Sequence, residues 1–374
     1  VEKCELAIVG GGPAGLAAAL KARELGLKEI FLLERDNFLG GQLVKQTHQF
    51  FGSHKQFAGI RGIDIAEIFK DKLEDQPEIQ ALKGAVAQGY YEDDVLGYSY
   101  RGKFFKLKPE KTILATGASE KMLSFPNNDL PGIYGAGAVQ TLMNQYGIIP
   151  GEKILMIGAG NIGLIVAYQL LQAGIEVEAV IEATGIIGGY AVHASKIRRA
   201  GIPILTYHTI KEARGDEEVE SAVIQKLNEN WQPVPGTEQE MEIDTICLAV
   251  GLTPKVDLAI QAGCQMAYVA ELGGDVPVRD ENLQTSNSRV YIAGDSAGIE
   301  EATAAILEGE LAAASAAGEI FPGNSAIAQE RREIKEKLAD LRRGPVGEHI
   351  RRGLARVRRN QNAGRDRYTR SWKN

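Results

Sequence analysis

The chain has 374 residues, a formal net charge of −7, 44% hydrophobic residues and 24% charged residues. That balance is globular and excludes disordered, collagen-like and coiled-coil chains; the length suits about two to three domains of roughly 100–200 residues each. The three cysteines, Cys4, Cys247 and Cys264, are widely separated, which excludes a CxxC redox pair, a four-cysteine zinc site and a cysteine-ligated iron–sulfur cluster within the chain.

Residues 6–34 read LAIVGGGPAGLAAALKARELGLKEIFLLE. An apolar run, a tight glycine turn, a helical stretch and a second apolar run ending in an acid predict a βαβ beginning. Residues 78–108 alternate apolar and polar character around Gly89 and Gly97 and predict a small antiparallel insertion. Residues 111–117, KTILATG, predict a buried strand ending in glycine. Pro126, Pro131 and Gly132 mark a crossover, after which residues 154–182, ILMIGAGNIGLIVAYQLLQAGIEVEAVIE, repeat the first pattern at an offset of 148. The strand-then-glycine ending returns at 244–251, DTICLAVG, and RVYIAGD at 289–295 is a further short strand. From Glu300 to Ile320 the chain is rich in alanine and strongly helical.

The last 49 residues differ in character. Residues 326–374 hold 15 Lys and Arg against 6 Asp and Glu, a net of +9, which leaves −16 for the rest. Two amphipathic helices are predicted there. One carries a stripe of Ile327, Ile334, Leu338 and Leu341. The other carries Val346, Ile350, Leu354 and Val357, with arginines 351, 352, 356, 358 and 359 on the remainder. Residues beyond Asn360 are expected to fray.

Each repeat contains a GxGxxG turn. In the first, Gly10 makes the turn, Gly12 lets a pyrophosphate approach the backbone, and Gly15 lets helix and strand pack closely. The following helix N-terminus offers amides and partial positive charge to phosphates, and Glu34 falls where a carboxylate can accept ribose hydroxyls. Gly158, Gly160, Gly163 and Glu182 repeat the set. Glu182 would repel a ribose 2′-phosphate and favours NAD(H) over NADP(H). Lys196, Arg198 and Arg199 keep NADP(H) open, although a solvated helix face is their simpler reading.

These motifs, with Ala115-Thr116-Gly117 and Gly294-Asp295, resemble the two-dinucleotide-binding-domain flavoproteins of the pyridine nucleotide-disulfide oxidoreductase-like superfamily. Length and domain order are those of its thioredoxin-reductase-like branch, over about residues 5–320. The resemblance implies an α/β fold of two Rossmann-like domains. An NAD(P)-binding domain, 121–269, is inserted in a discontinuous FAD-binding domain, 1–120 and 270–325, and the basic helical tail, 326–374, follows. It also implies that FAD meets Gly10, Gly12, Pro13, Ala14, Gly15, Glu34, Arg35, Gly41, Gln42, Thr47, Val86, Ala115, Thr116, Gly117, Gly294, Asp295, Glu301 and Ala302. NAD would meet Gly158, Gly160, Asn161, Ile162, Gly163, Glu182 and Gly251. In this picture Asp295 bonds the ribityl chain, and the helix after Glu300-Glu301-Ala302 points its N-terminus at the flavin pyrimidine.

The chain departs from the disulfide reductases where their cysteines belong. Residues 185–195, GIIGGYAVHAS, and the stretch GGQLVKQTHQFF from Gly40 contain none, so dithiol chemistry is not predicted. The run at 115–147, ATGASEKMLSFPNNDLPGIYGAGAVQTLMNQYG, is similar to the FAD/NAD subunits of amine and imino-acid dehydrogenase complexes. Three readings follow: an electron-passing subunit of a larger dehydrogenase, a self-contained NADH:acceptor reductase, or a non-enzymatic assembly subunit with structural FAD.

Histidines add little. His48 lies just after the segment that the resemblance runs along the flavin, and is either a proton donor or a structural residue. His54 shares that region, His193, His208 and His349 read as structural or tail residues, and no pair has metal-ligand spacing, so no metal is predicted. Phe50 and Phe51 read as core. The tail's arginine face suits a partner subunit, an electron-acceptor protein or the chain's own acidic body. An anionic membrane surface fits less well, and sparse aromatics argue against nucleic acid. A homo-oligomer is left open. No apolar stretch reaches the roughly 18–20 residues of a spanning helix, and the few unpaired cysteines suit the cytoplasm.

Overall fold

A computed structural model describes residues 1–50, 57–345 and 347–362, with side chains through Val357. His54, Phe51, Val346, the side chains of Arg358 and Arg359, and the chain beyond Asn362 lie outside the described residues. The helices used below are α1 (Pro13–Glu24), α2 (Gly62–Glu74), α3 (Ala136–Tyr146), α4 (Asn161–Gln172), α5 (Ala191–Arg199), α6 (Asp257–Gln261), α7 (Ala302–Ile320), α8 (Ser325–Leu341) and α9 (Glu348–Asn362). The chain divides into two compact units, one of residues 1–44, 49–119 and 253–374, the other of 45–48 and 120–252.

The first unit is built on a parallel sheet. Its strands run in the order Ile79–Lys83, Ile30–Glu34, Glu2–Val9, Lys103–Leu114, and Val290–Ile292 pairs in parallel with the end of the last. Successive side chains of a strand face opposite sides, and both sides are buried here. Leu6, Ile8 and Leu32 pack toward the alanines of α1 and α7, while Ala7, Val9 and Leu33 pack toward Tyr90, Leu96 and Leu107. Three layers result, with helices on one face and a small antiparallel sheet on the other. The insertion begins later than its sequence pattern suggests. Ile79–Lys83 joins the parallel sheet, and only Val86–Tyr90, Leu96–Tyr100 and the start of Lys103–Leu114 are antiparallel.

Helices α1 and α7 cross with their backbones nearly touching. A Cβ on Gly309 would lie 2.0 Å from the Ala14 carbonyl oxygen, so only glycine permits the crossing. The alanine content of both helices serves the same approach.

The second unit repeats the parallel arrangement, with strand order Ile204–Thr206, Glu176–Glu182, Lys153–Ile157, Thr245–Leu248, Ile133–Gly135. One face packs on α3, α4 and α5, and the other on the antiparallel strands His208–Arg214, Ser221–Lys226 and Gln239–Glu242.

Three segments fall elsewhere than the sequence boundaries put them, the shortest being residues 45–48, which lie in the second unit. Residues 253–269, assigned above to the inserted domain, lie in the first unit. Leu258, Ala259, Ala262 and Cys264 join the core of Cys4 and Tyr90, and Gln261 accepts the Tyr90 amide at 3.0 Å. The basic tail is likewise part of the first unit as far as it is described. Ile327, Ile334 and Leu338 are buried with α1 and α7, while Val357, Ile350 and Leu354 pack on Val269, Leu272 and Val276. Lys21 bonds Glu330, and Arg356 pairs with Glu271. Thus, among the described residues, the tail's apolar stripes are covered by the chain's own body.

Gly309→Ala forces α1 and α7 apart. An overpacking cost of about 1–3 kcal/mol is expected, read as a lowered thermal midpoint; an unchanged midpoint contradicts the close crossing.

Candidate nucleotide sites

Each unit carries one glycine turn, and the two match atom for atom. In the first, a Cβ on Gly15 would sit 1.8 Å from the Gly10 carbonyl, and one on Gly10 would sit 2.2 Å from the Ala115 carbonyl. In the second, Gly163 would meet the Gly158 carbonyl at 2.0 Å, and Gly158 the Ala249 carbonyl at 2.4 Å. Gly10 and Gly158 also hold φ of +108° and +107°, which a side chain disfavours. The outer glycines therefore pack the helix against the strand and against the neighbouring strand end. The middle ones are different. Gly12 would meet only the Gly41 Cα at 3.8 Å, and Gly160 nothing within 4 Å. Fold packing does not require these two to be glycine, and both face open space at a helix N-terminus. Pro13 and Ala14 open α1, and Asn161 and Ile162 open α4.

The acids at the ends of the second strands are oriented by backbone amides. Glu34 Oε2 accepts Gly11 N–H at 2.7 Å and Oε1 accepts Asp36 N–H at 2.7 Å. Glu182 Oε2 accepts Ala159 N–H at 2.9 Å and Oε1 accepts Thr184 N–H at 3.0 Å. A carboxylate oxygen has more than one acceptor site, so both acids keep capacity for ribose hydroxyls. Burial pushes the Glu34 carboxyl upward, and the two amide bonds pull it back.

The repeat continues past the acid. Gly40-Gly41 and Gly188-Gly189 stand at the same offset of 148. Each pair folds back on its own turn: Gly40 N–H donates to Gly11 O at 2.8 Å, and Gly189 N–H to Ala159 O at 2.9 Å. The approach is close, since a Cβ on Gly41 would lie 2.8 Å from Gly12 Cα and one on Gly189 3.0 Å from Gly160 C. Asn161 Oδ1 accepts Tyr190 N–H, which fastens the second loop. The glycine pairs are a readable signal that lies just beyond the stretch where the two copies are otherwise alike.

The remaining first-unit residues gather in part around this turn. Ala115 N–H donates to Val9 O, Thr116 Oγ1 donates to Lys255 O, and Gly117 turns at φ +72° and accepts Lys255 N–H. A Cβ on Gly294 would touch Ala14 Cβ at 3.0 Å, which brings the Asp295 turn to the start of α1. Glu301 stands at the N-cap position of α7 and Ala302 is its first residue. Arg35 and Gln42 are exposed, Arg35 lying 3.7 Å from Asp36, and Val86 is exposed at a strand start beside the Ala85 amide that bonds Glu34 O. In the second unit Gly251, at φ +114°, accepts Lys121 N–H. Thr47 belongs there too, accepting Gln169 Nε2–H at 2.7 Å.

His48 also lies in the second unit. Burial, with smaller contributions from His193 and Lys196, pushes its imidazole down to about 4, so it is neutral at neutral pH. Lys196 sits 5.0 Å over the Tyr168 ring. All three cysteines are buried, and burial raises each thiol, Cys4 to about 12. That suppresses thiolate.

Sequence reasoning missed Glu308 and Arg342. Glu308 accepts the Gly294 amide at 3.0 Å, and Arg342 bonds both Glu308 and Glu300. Asp295 sits against these groups. Burial raises its carboxyl to about 6 from 3.8; the Glu300 amide opposes this, and the Glu308 and Glu300 carboxylates add to it.

Two parallel-sheet units, each with a glycine turn and a terminal acid, define a Rossmann-type α/β protein. Residues 4–309 match the family Pyridine nucleotide-disulphide oxidoreductase, and the chain belongs to it; it is an oxidoreductase of a flavin-binding family. Among relatives, the alpha chain of sarcosine oxidase from Rhizobium meliloti is 27% identical over 72% of this chain and 26% of its own length. The A component of opine oxidase from Agrobacterium tumefaciens, likewise named as a subunit, is 25% identical over 84% of this chain and 66% of its own. The HcnB subunit of hydrogen cyanide synthase from Pseudomonas protegens is 27% identical over 94% of this chain and 78% of its own. The chain thus spans about a quarter of the first relative and just under two thirds of the second. The fold is shared with L-proline dehydrogenase from P. horikoshii, with TM-score 0.68, 23% identity, and coverage of 89% of this chain and 59% of that one. It is shared also with T. acidophilum thioredoxin reductase, with TM-score 0.71, 20% identity and coverage of 86% and 100%. Among the described residues no helix is long and apolar enough to cross a membrane.

Gly15→Ala is expected to lower the thermal midpoint of the nucleotide-free chain by several degrees, whereas Gly12→Ala leaves it within about a degree or two. Equal losses contradict the division between packing and ligand-facing glycines. Between about pH 4 and 6 the folded Asp295 keeps a proton that the unfolded chain has released, so its contribution to stability falls as pH rises through this window. Asp295→Asn removes that contribution, and denaturation of the nucleotide-free variant should show a flatter pH profile there; an identical profile contradicts the raised carboxyl.

Proposed function

We propose that the chain is an FAD-dependent, NAD(H)-linked oxidoreductase that passes electrons between a nicotinamide and flavin as a subunit of a larger dehydrogenase. The observation that carries this is the matched pair of turns, in which Gly12 and Gly160 face open space while Glu34 and Glu182 are held by amides in the same way. The first unit takes FAD and the second the nicotinamide dinucleotide. Bound flavin supplies a two-electron acceptor for hydride.

The chain's own residues bind and orient. Gly12 and the first amides of α1 receive the FAD pyrophosphate, and Glu34 takes its adenosine ribose. Gly41 and Gln42, with Asp295 and the N-terminus of α7, border the flavin end. Gly160, with the amides of Asn161 and Ile162, receives the second pyrophosphate. Glu182 supports NAD(H), because a ribose 2′-phosphate beside a carboxylate is repelled. The occupation of Lys196 over Tyr168 supports the same preference. His48, neutral and in the second unit, is a weak candidate for proton donation and is read as structural.

The subunit reading rests on relatives that are named as subunits and on the lack of a cysteine pair to receive electrons. Three separate, protonated thiols support a reducing, cytoplasmic location. Anaerobic NADH should bleach the visible absorbance of the oxidised flavin in the purified holoprotein, and Glu182→Ala should raise the NADH concentration for half-reduction at least tenfold with little change in the limiting rate. No bleaching overturns the reaction. Recovery of the native chain always without a second subunit favours the self-contained reductase.

A further inference from the structure

The basic arm reaches the turn that borders the flavin end of the proposed FAD site. Arg342, just past α8, is almost buried, with 12% of its side chain exposed. Its Nε and Nη2 donate to Glu300 Oε1 and Oε2 at 3.0 and 2.7 Å, and Nη2 also donates to Glu308 Oε1 at 2.6 Å. The other oxygen of Glu308 accepts the Gly294 amide at 3.0 Å. Asp295 follows Gly294 directly, and the Glu308 and Glu300 carboxylates push its own carboxyl upward. One guanidinium therefore acts on the 294–301 turn from both ends: through Glu308 it fixes Gly294, next to Asp295, and through Glu300 it fixes the residues that lead into α7.

The electrostatics make this arrangement depend on arginine. Asp295, Glu300 and Glu308 crowd one partly desolvated region, with Glu301 adding to the negative field at Glu300. Mutual repulsion would open the turn without a cation between them. A planar fork can bond two carboxylates at once, whereas a lysine ammonium is a point charge with no such geometry. The neighbouring Arg343 has 79% of its side chain exposed and pairs only locally with Asp340, so the burial of Arg342 is specific to its position.

We propose that Arg342 is a positioning residue of the flavin site, which makes the C-terminal arm a working part of the FAD-binding unit. The assignment rests on the reading of the first unit as the FAD site. In Arg342→Met the turn relaxes, Asp295 and the start of α7 lose their placement, and a cation is removed from the flavin end.

The test is FAD binding by apoprotein of the full chain, followed by quenching of flavin fluorescence, with circular dichroism to confirm folding. Arg342→Met is expected to weaken FAD at least tenfold, and Arg342→Lys, which keeps the charge and loses the fork, to fall between it and wild type. The flavin that remains bound should have a lower midpoint potential. A tenfold greater loss of affinity for the reduced than for the oxidised form corresponds to about 30 mV for a two-electron couple. Should Arg342→Met not fold, the same loss is expected in the chain that also carries Glu300→Gln and Glu308→Gln, which neutralises both carboxylates that Arg342 bonds. A folded variant with wild-type FAD affinity and potential overturns the assignment and leaves the FAD site standing. A wild-type chain that binds no FAD removes both.

Discussion

The structure depends on two places where a helix backbone meets a strand turn with no room for a Cβ: Gly15 over Gly10, and Gly163 over Gly158. Each contact sets the helix N-terminus directly above the end of the first strand and aims its free amides into the space beside the middle glycine. The neighbouring strand ends at Ala115 and Ala249 press on the same turns from behind. The candidate site residues of either unit are arranged relative to that contact. The acid on the second strand bonds the amide inside the turn, and the following Gly-Gly pair folds back over it.

Around the first turn the protein places more negative charge than its covalent frame can hold in order. Glu34 is held by two backbone amides. Glu300 and Glu308 instead use a cation from the far end of the chain. The net charge of −7 is thus divided unevenly, and part of the arm's positive charge is consumed inside the unit. Burial of Ile327, Ile334, Leu338 and Val357 consumes its apolar stripes in the same way. The arm still presents exposed basic side chains outward, among them Arg332, Lys337, Arg343, Arg351 and Arg352.

Much of the fold was legible because its signals are local. Glycine spacing, the acid after the second apolar run and the alanine-rich helix each have a single physical reading. The antiparallel insertion was read one strand too early because Ile79–Lys83 alternates in sequence yet pairs in parallel. The segment 253–269 was placed with the wrong neighbours because its short apolar helix carries no mark of which core it joins; Gln261 and Leu258 decide that by tertiary contact. Arg342 and Arg343 are indistinguishable in sequence, and only packing separates a buried fork from a solvated charge. The glycine pair at 40–41 is singled out by the family resemblance, but its repeat at 188–189 lies beyond the stretch where the two copies read alike.

On the proposed reading, the two like turns hold two dinucleotides at once. The most direct measurement is equilibrium binding of FAD and NADH to the same purified chain and to the variants Gly12→Val and Gly160→Val. One FAD and one NADH should bind together, with Gly12→Val losing the first and Gly160→Val the second, each leaving the other nucleotide in place. Competition between FAD and NADH for a single site, or loss of both nucleotides from either folded variant, would contradict it.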